Sequence, residues 1–346
     1  MNSQFWKGKR VLITGHNGFK GCWLTKWLDL CGAVTCGISL EPECESVYSE
    51  LKFSSNYKGY IADVTDAETI GKIVTEFEPE IVFHLAAQAI VKVASDFPAK
   101  TFETNVMGTV NVFEALRKCG KIKSIVIVTS DKVYENTEQA THFVEDDRLG
   151  GFEAYSASKA CEEIVAQTYR SQYFLNKGIG VATARACNTF GGGDHHFDRL
   201  IPYLIRADYY GDNIELRNID AVRPWQYILD TLNGYLMLAE ALYKEPSKYS
   251  SAYNFGPPLN DIYTVGDIAK LISDSKIDNV KASLVESGIL MIESTKSKKE
   301  LGWEQCYSLQ EALKRTCIFY KGDFIGKPID ELFTEEILNS LWMKKV

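Results

Sequence analysis

The sequence predicts an α/β fold built on a doubly wound parallel sheet. Through the first half of the chain, short apolar runs rich in β-branched residues alternate with longer helical patterns. The runs cover residues 11–14, 33–38, 60–62, 81–84, 124–128 and 181–184. They are apolar throughout, which is typical of parallel strands that helices cover on both faces. Because crossovers between parallel strands are right-handed, we expect a Rossmann-type domain.

The intervening helices are expected over residues 19–31, from about Asp66, and over residues 98–118 and 153–174. After about residue 190 this rhythm ends, and an irregular stretch begins at Gly191-Gly192-Gly193. We therefore expect two partly interleaved domains. Residues 1–188 with 222–256 would form a cofactor-binding Rossmann domain, and residues 189–221 with 257–346 a smaller substrate-binding domain.

Composition argues against several classes of protein. The formal net charge is −8, so no basic surplus is available to neutralise nucleic-acid phosphates. No apolar run approaches the ~18 residues of a membrane span, and the first residues lack the apolar region of a signal peptide. The nine cysteines include no C-x-x-C pair, which favours buried thiols in a reducing cytoplasm. His84 is isolated and His195 and His196 are adjacent, so we expect no metal site.

A glycine-rich turn follows the first predicted strand and opens the first long helix. Its glycines, Gly15, Gly18 and Gly21, are three residues apart. Glycine permits a tight turn and lets a diphosphate approach the backbone, and the helix N-terminus supplies free N–H groups. We therefore expect a dinucleotide here, held by these glycines with Asn17 and Phe19. The alternative is a turn that serves only helix–sheet packing.

Three other segments refine this cofactor site. No Lys or Arg occurs from residue 32 to residue 51, whereas acids stand at Glu41, Glu43 and Glu45. A ribose 2′-phosphate would find no local cation there, which favours NAD over NADP. The small residues after the fourth strand, Leu85-Ala86-Ala87, would let the cofactor lie close. At the end of the third strand, we expect Asp63 and Val64 to contact the adenine. The alternative is that Asp63 serves only as a turn residue at the end of the strand.

Tyr155 and Lys159 stand four residues apart and so share one face of a predicted helix. A phenol titrates near ~10 and is a poor base at neutral pH. A neighbouring ammonium and a positive nicotinamide ring would stabilise its phenolate, so Tyr155 would take a proton from a hydroxyl as hydride leaves. The alternative is a surface pair, because this spacing is common by chance.

Ser130, Asp131 and Lys132 follow the fifth predicted strand. The carboxyl ends of such strands open into the crevice where ligands bind, so the three side chains are candidates for acid–base chemistry. A capping turn is the alternative, since Ser and Asp favour such positions.

Together these motifs resemble the extended short-chain dehydrogenase/reductases that act on nucleotide sugars, over nearly the whole chain. The resemblance rests on Thr14-Gly15, Gly18, Gly21, His84-Leu85-Ala86-Ala87, Ser130-Asp131 and the pair Tyr155 and Lys159. Within that family the chain is most similar to the 4,6-dehydratases that act on CDP-glucose, because Lys132 stands where those acting on dTDP-glucose carry Glu. Further matches lie at residues 5–11, 191–194, 198–202, 223–226 and 254–257.

The resemblance implies an NAD-dependent dehydration that yields a 4-keto-6-deoxy sugar nucleotide. Tyr155 would deprotonate the sugar 4-hydroxyl with Lys159 beside it, and both residues would also contact the cofactor. Ser130 would hydrogen-bond the 4-oxygen. Lys132 would remove the C5 proton, and Asp131 would protonate the departing C6 hydroxyl. Lys132 acts as a base only when neutral, a form that burial or nearby cations favour.

The resemblance also implies substrate contacts and an assembly. The guanidinium groups of Arg199 and Arg223 suit a diphosphate, and the alternative for either one is a surface salt bridge. Further expected substrate contacts are Gln88, Asn188 and Leu200. Two long helices, residues 98–118 and 153–174, would lie side by side and pair across a homodimer. The chain departs from the family at Cys187, commonly Gly, at Val133, commonly Cys, and at His195-His196, near which the family has Trp.

Other functions fit the same motifs. Another nucleotide-sugar 4,6-dehydratase would share every residue above. A C4 epimerase or a reductase would need Tyr155 and Lys159 but no C5 base, so Lys132 discriminates between them. A catalytically silent NAD-binding regulator would have no use for the complete set of Ser130, Tyr155 and Lys159.

Overall fold

The computed structural model describes residues 2–42, 46–137, 142–196, 199–280 and 288–344. Its strands are β1 Arg10–Thr14, β2 Val34–Ser39, β3 Tyr57–Ile61, β4 Ile81–His84, β5 Ser124–Val128, β6 His142–Phe143, β7 Gly180–Ala186, β8 Asn188–Phe190, β9 Ile214–Arg217, β10 Val222–Arg223, β11 Trp225–Tyr227, β12 Ala252–Phe255, β13 Tyr263–Thr264, β14 Ile277–Val280 and β15 Met291–Ile292. Its helices are α1 Ser3–Trp6, α2 Phe19–Leu30, α3 Ala67–Phe77, α4 Val91–Asp96, α5 Pro98–Phe102, α6 Gly108–Leu116, α7 Ala154–Tyr169, α8 Leu200–Tyr210, α9 Ile228–Lys244, α10 Pro246–Tyr249, α11 Val265–Ile272, α12 Thr295–Leu301, α13 Leu309–Phe324, α14 Ile329–Leu338 and α15 Leu341–Lys344.

A parallel sheet of seven strands forms the centre of the described chain, in the order β12-β7-β5-β4-β1-β2-β3. The order reverses at β1, as in a doubly wound fold, and the six predicted strands and the fold class are confirmed. In the register, Thr14 pairs with His84, and His84 pairs with Ile127. The carboxyl ends of β1, β4 and β5 therefore meet at one edge, which is where ligands bind in such sheets.

The seventh strand, β12, escaped the sequence prediction. Its four residues, Ala252-Tyr253-Asn254-Phe255, are interrupted by a polar side chain and lie on the sheet edge beside β7. Asn254 is nevertheless fully buried. Both ends of its amide have partners there: Tyr134 donates to its Oδ1 at 2.6 Å, and its Nδ2 donates to the Phe143 carbonyl at 3.0 Å. A buried amide with satisfied partners is compatible with a strand.

The two long predicted helices are present but not regular. The first is α5, a π-helical turn over Glu103–Met107, and α6. The second is α7, continued by a π-helical turn over Arg170–Phe174. They pack side by side: the Asn105 amide donates to Ser158 Oγ at 2.8 Å, and the Phe113 and Tyr169 rings stack with centroids 4.7 Å apart.

The last long helix, α14, packs against α2. The Phe333 and Trp23 rings stack at 4.0 Å, and Lys26 Nζ lies 2.6 Å from Asp330 Oδ1. Both aromatic side chains are fully buried, so the end of the chain completes the core beneath the glycine-rich turn. Within the described ranges, every cysteine is a free thiol, and the helices are too short or too polar to cross a membrane.

Candidate active site

The glycine-rich turn connects β1 to α2, and its three glycines differ in what surrounds them. Gly15 has φ +75°, and a Cβ there would lie 2.7 Å from the Ala86 nitrogen. A Cβ on Gly21 would overlap the Gly15 carbonyl oxygen. Gly18, the N-cap of α2, has ordinary backbone angles, and its Cβ would meet only the Gly15 oxygen at 3.5 Å. The protein's own packing thus explains Gly15 and Gly21, whereas at Gly18 it leaves open space.

The segment after β2 closes over this turn. Asn17 Nδ2 donates to the Leu40 carbonyl at 2.7 Å, and the Ser46 hydroxyl donates to the Asn17 carbonyl at 2.7 Å. Glu41 lines the same cavity. Glu43 and Glu45, two of the acids that favour NAD over NADP, lie outside the described residues, as does Asp198 of the family-matching segment.

One cavity of about 610 Å³ joins the turn to the ends of β4, β5 and β7. The structure brings together nearly all of the predicted site residues along its wall. They are Gly15, Asn17, Gly18, Phe19, Gly21, Asp63, Val64, Leu85, Ala86, Ala87, Gln88, Ser130, Asp131, Lys132, Tyr155, Lys159, Asn188 and Arg199. Leu200 and Arg223 are not part of this wall.

The start of α7 brings Tyr155 and Lys159 to the cavity. Glu153 caps the helix by accepting from the backbone N–H groups of Tyr155 and Ser156 at 2.7 and 2.8 Å. Burial raises the pKa of Tyr155, while the Lys159 ammonium and the Ser130 hydroxyl act in the opposite direction. Lys159 therefore favours the phenolate as predicted, but in the protein alone burial outweighs it.

The turn after β5 presents Ser130, Asp131 and Lys132. Ser130 Oγ caps the turn, accepting from the Lys132 backbone N–H at 3.2 Å and donating to Asp131 Oδ1 at 2.9 Å. Asp131 is 2% exposed, and its Oδ2 has no hydrogen-bond partner among the described residues. Burial raises the pKa of this carboxyl. The structure thus shows the capping turn, and the same turn presents its polar side chains in the wall of the cavity.

His84 serves the fold beneath the cavity. Its Nδ1 lies 2.7 Å from Thr14 Oγ1 and its Nε2 lies 2.9 Å from Thr109 Oγ1. Burial, and then repulsion from Lys159, lower its pKa to about 3, so the ring is neutral at physiological pH. It ties β1, β4 and α6 together at the edge where the site forms.

The expected substrate residues occupy different positions. Arg199 Nε lies 3.2 Å from Asp194 Oδ2 at the cavity wall. Gln88 is folded back, with its Oε1 accepting from the Ile90 N–H at 3.1 Å. Leu200 packs against the main hydrophobic core. Arg223 is 7% exposed and donates to the Val222 carbonyl at 2.9 Å, yet its charge still lowers the pKa of Asp131.

Of the positions that depart from the family, Cys187, His195 and His196 line the cavity, and Val133 does not. Cys187 is buried in the cavity wall, and burial raises the pKa of its thiol well above the usual range. His195 Nε2 lies 3.3 Å from Asp323 Oδ2 on α13. Val133 is fully buried at the end of the turn that carries Asp131 and Lys132. None of these residues replaces a member of the predicted acid–base set.

Two charged residues at the site were missed in the sequence, one in the cavity wall and one buried behind Lys159. Lys20, in the first turn of α2, lines the cavity, and burial lowers its pKa to about 8. Its Nζ donates to Tyr235 Oη at 3.5 Å. Glu162 accepts from Lys159 Nζ at 2.9 and 3.0 Å. The available signals were the position of Lys20 inside the glycine turn and the i,i+3 spacing of Glu162 from Lys159.

Comparisons with known proteins show the family to which this chain belongs. The family model described as GDP-mannose 4,6 dehydratase matches residues 12–316. A CDP-glucose 4,6-dehydratase from Salmonella typhimurium is 38% identical over 344 residues, covering 94% of this chain and 94% of that protein. Fold and site thus define an extended short-chain dehydrogenase/reductase, and the chain belongs to the GDP-mannose 4,6 dehydratase family.

Solved structures share the fold at lower identity. The structure of dTDP-glucose 4,6-dehydratase from Bacillus anthracis in complex with NAD superposes with a TM-score of 0.79 and 22% identity, covering 93% of this chain and 100% of that one. UDP-glucose 4-epimerase from Thermotoga maritima with UDP-glucose gives a TM-score of 0.79 and 22% identity, covering 91% and 99%. Dehydratases and epimerases therefore share this scaffold, and the side chains must distinguish between them.

Proposed function

We propose that the protein is an NAD-dependent lyase that converts CDP-glucose into CDP-4-keto-6-deoxyglucose for deoxysugar biosynthesis. The observation that carries the proposal is the turn after β5, which presents an acid, Asp131, and an amine, Lys132, in the cavity that also holds Tyr155. An epimerase or a reductase needs no such pair. The 38% identical relative named for CDP-glucose supports this choice of substrate.

Asp131 is suited to act as the acid. A carboxyl donates a proton only when it is protonated, and burial raises the pKa of this one. Ser130 occupies Oδ1, which leaves Oδ2 without a partner among the described residues. A proton on Oδ2 would therefore be available to a leaving hydroxyl in the cavity.

The residues around the glycine turn suit NAD. The open space at Gly18 lets a diphosphate approach the N-terminus of α2, and Glu41 in the cavity wall disfavours a 2′-phosphate. When bound, the cofactor supplies hydride acceptance from C4 and hydride return to C6. The substrate diphosphate would lie near Arg199, in the part of the chain that we assign to the substrate-binding domain.

The proton steps balance over one turnover. Tyr155 takes the proton of the 4-hydroxyl, and Lys132 takes the proton at C5 once the neighbouring ketone has made it acidic. Asp131 gives its proton to the C6 oxygen, which leaves as water. Lys132 returns its proton to C5 when hydride reaches C6. The proton gained by Tyr155 equals the one lost by Asp131, and the substrate loses one water.

The test is to incubate the purified protein with NAD and CDP-glucose and to follow the sugar nucleotide by mass spectrometry. We expect loss of the mass of one water without net formation of NADH. Parallel incubations with dTDP-, GDP- and UDP-hexoses test the base preference. An unchanged mass across this panel would exclude the proposal, and a dehydrated product from another nucleotide alone would correct the substrate.

We further propose a cytoplasmic homodimer formed through α5, α6 and α7. Exposed apolar side chains lie on α7 and on the π-helical turn between α5 and α6, with Ile164 54% and Met107 50% exposed. Pairing of two such faces would remove them from water. Light scattering should report twice the chain mass, and Ile164→Glu should shift the protein toward monomer. A wild-type monomer at working concentration would contradict the proposal.

A further inference from the structure

We propose that Glu162 is a positioning residue that holds Lys159 and offsets its charge beside Tyr155. On this view the Lys159–Glu162 pair, rather than Lys159 alone, sets how readily the phenol ionises. The inference rests on the proposed function, in which Tyr155 is the proton acceptor. It adds a residue that the motif Tyr155-x-x-x-Lys159 does not contain.

The geometry of the pair is tight and dry. Lys159 Nζ donates to both carboxylate oxygens of Glu162, at 2.9 and 3.0 Å, and to the Val128 carbonyl at 3.2 Å. The two side chains are 4% and 1% exposed. An ammonium has three hydrogens, so the protein already supplies an acceptor for each of them. Lys159 is thus fixed by its own helix and by the end of β5.

Glu162 is the counter-ion of Lys159, because the other charged groups near the pair have different partners or face elsewhere. On α7, Glu163 is committed to Arg185 of β7, with Oε2 and Nη2 2.9 Å apart. From β4, His84 faces Lys159 as a neutral ring. The turn after β5 contributes Asp131, and α2 contributes Lys20, both of which line the cavity. The other acids and bases from residue 91 to residue 118 are Lys92, Asp96, Lys100, Glu103, Glu114, Arg117 and Lys118; Glu114 accepts from Tyr169 Oη of α7 at 2.6 Å, and the rest are exposed.

Opposite charges at this range alter the acidity of Tyr155. The positive charge of Lys159 lowers the pKa of the phenol, whereas the negative charge of Glu162 raises it. Burial raises the pKa of Glu162 itself, whereas the Lys159 ammonium lowers it. The two hydrogen bonds from Lys159 favour the charged carboxylate, which is the form that compensates the charge of Lys159.

The test compares the NAD-loaded wild-type protein with Glu162→Gln, which keeps the size and polarity of the side chain. The pH profile of the dehydration rate should rise on its acid side as Tyr155 ionises. Without the carboxylate, Lys159 favours the phenolate more strongly, so this limb should move to lower pH by about half a unit or more. Glu162→Asp retains the charge on a shorter side chain. The acid limb of its pH profile should lie between those of the wild type and Glu162→Gln.

The matched control is Glu114→Gln. It removes an acid from the neighbouring helix α6 that pairs with Arg117 at 2.7 Å and does not line the cavity, so its limb should coincide with that of the wild type. A second readout needs no substrate: the ultraviolet absorbance of phenolate is titrated in each background with and without Tyr155→Phe. The difference isolates Tyr155, and in the Gln variant it should titrate at lower pH.

The outcomes separate the two proposals. If Tyr155→Phe retains full turnover, the assigned role of Tyr155 fails. If Tyr155→Phe is inactive but the limb and the phenolate titration do not move in Glu162→Gln, the role of Glu162 fails alone. Should the Gln variant not fold, a limb of Glu162→Asp at or above that of the wild type overturns the inference.

Discussion

Replacing Gly18 by alanine should separate cofactor binding from folding. The backbone there has φ −77° and ψ 171°, a region open to any residue. A Cβ would meet only the Gly15 oxygen, at 3.5 Å, which is ordinary van der Waals contact. We therefore expect the free energy of unfolding without cofactor to change by less than about 1 kcal/mol, the scale of an N-cap substitution.

The added methyl group would occupy the space that a diphosphate needs beside the N-terminus of α2. Overpacking of this kind costs about 1–3 kcal/mol, so NAD affinity should fall by roughly 5- to 150-fold. Gly21→Ala is the matched comparison, because its Cβ would overlap the Gly15 carbonyl. That variant should lose folding stability first, since the conflict lies between two backbone segments of the protein.

Urea unfolding without NAD measures the free energy of unfolding, and calorimetric titration with NAD measures the affinity for the cofactor. A Gly18→Ala protein that binds NAD as tightly as the wild type would refute the assignment of this space to the cofactor. Equal destabilisation by Gly18→Ala and Gly21→Ala would refute the distinction between the two glycines.

Three further substitutions test other parts of the structure. Lys132→Ala should slow dehydration by about 10²- to 10⁴-fold while NADH absorbance still appears on adding substrate; full activity would exclude elimination through Lys132. Glu163→Gln leaves Arg185 buried without its carboxylate and should cost about 3–5 kcal/mol in urea unfolding, and a loss below about 1 kcal/mol would contradict this. His84 has a folded pKa of about 3, below its ordinary 6.5, so its contribution is complete above pH 6.5 and is lost as pH falls toward 3. That loss is about 1.4 kcal/mol per pH unit, and His84→Asn should flatten the stability curve in this window; an unchanged slope would show that His84 is not its source.

The sequence predicted the central sheet because buried parallel strands carry a strong pattern. The runs at residues 81–84 and 124–128 coincide with β4 and β5. The edge strand β12 carried no such signal, since Asn254 interrupts it and its partners come from distant segments. The π-helical turn over Glu103–Met107 was equally invisible, because one additional residue per turn barely changes a helical pattern over so short a span.

Site residues were predictable where a single strand or helix determines that they lie at the carboxyl ends of the strands. Ser130 and Asp131 follow β5 directly, and Tyr155 and Lys159 share one helical face, so local geometry sufficed. Arg223 shows where such reasoning ends, because its direction depends on pairing between β10 and β13. Glu162 was overlooked because a second acid follows it at once, and only the fold assigns Glu163 to Arg185 and Glu162 to Lys159.

The stacking of α14 on α2 has a consequence for biosynthesis. Lys26 and Asp330 are 304 positions apart, and Phe333 covers Trp23 in the helix that begins at the glycine turn. A nascent chain acquires these contacts only after all residues through α14 have left the ribosome. Helix α2 is thus translated early, but the residues of α14 that pack against it are translated late. Chains truncated before α14 should expose Trp23, and they should bind NAD weakly even though every residue of the glycine turn is present.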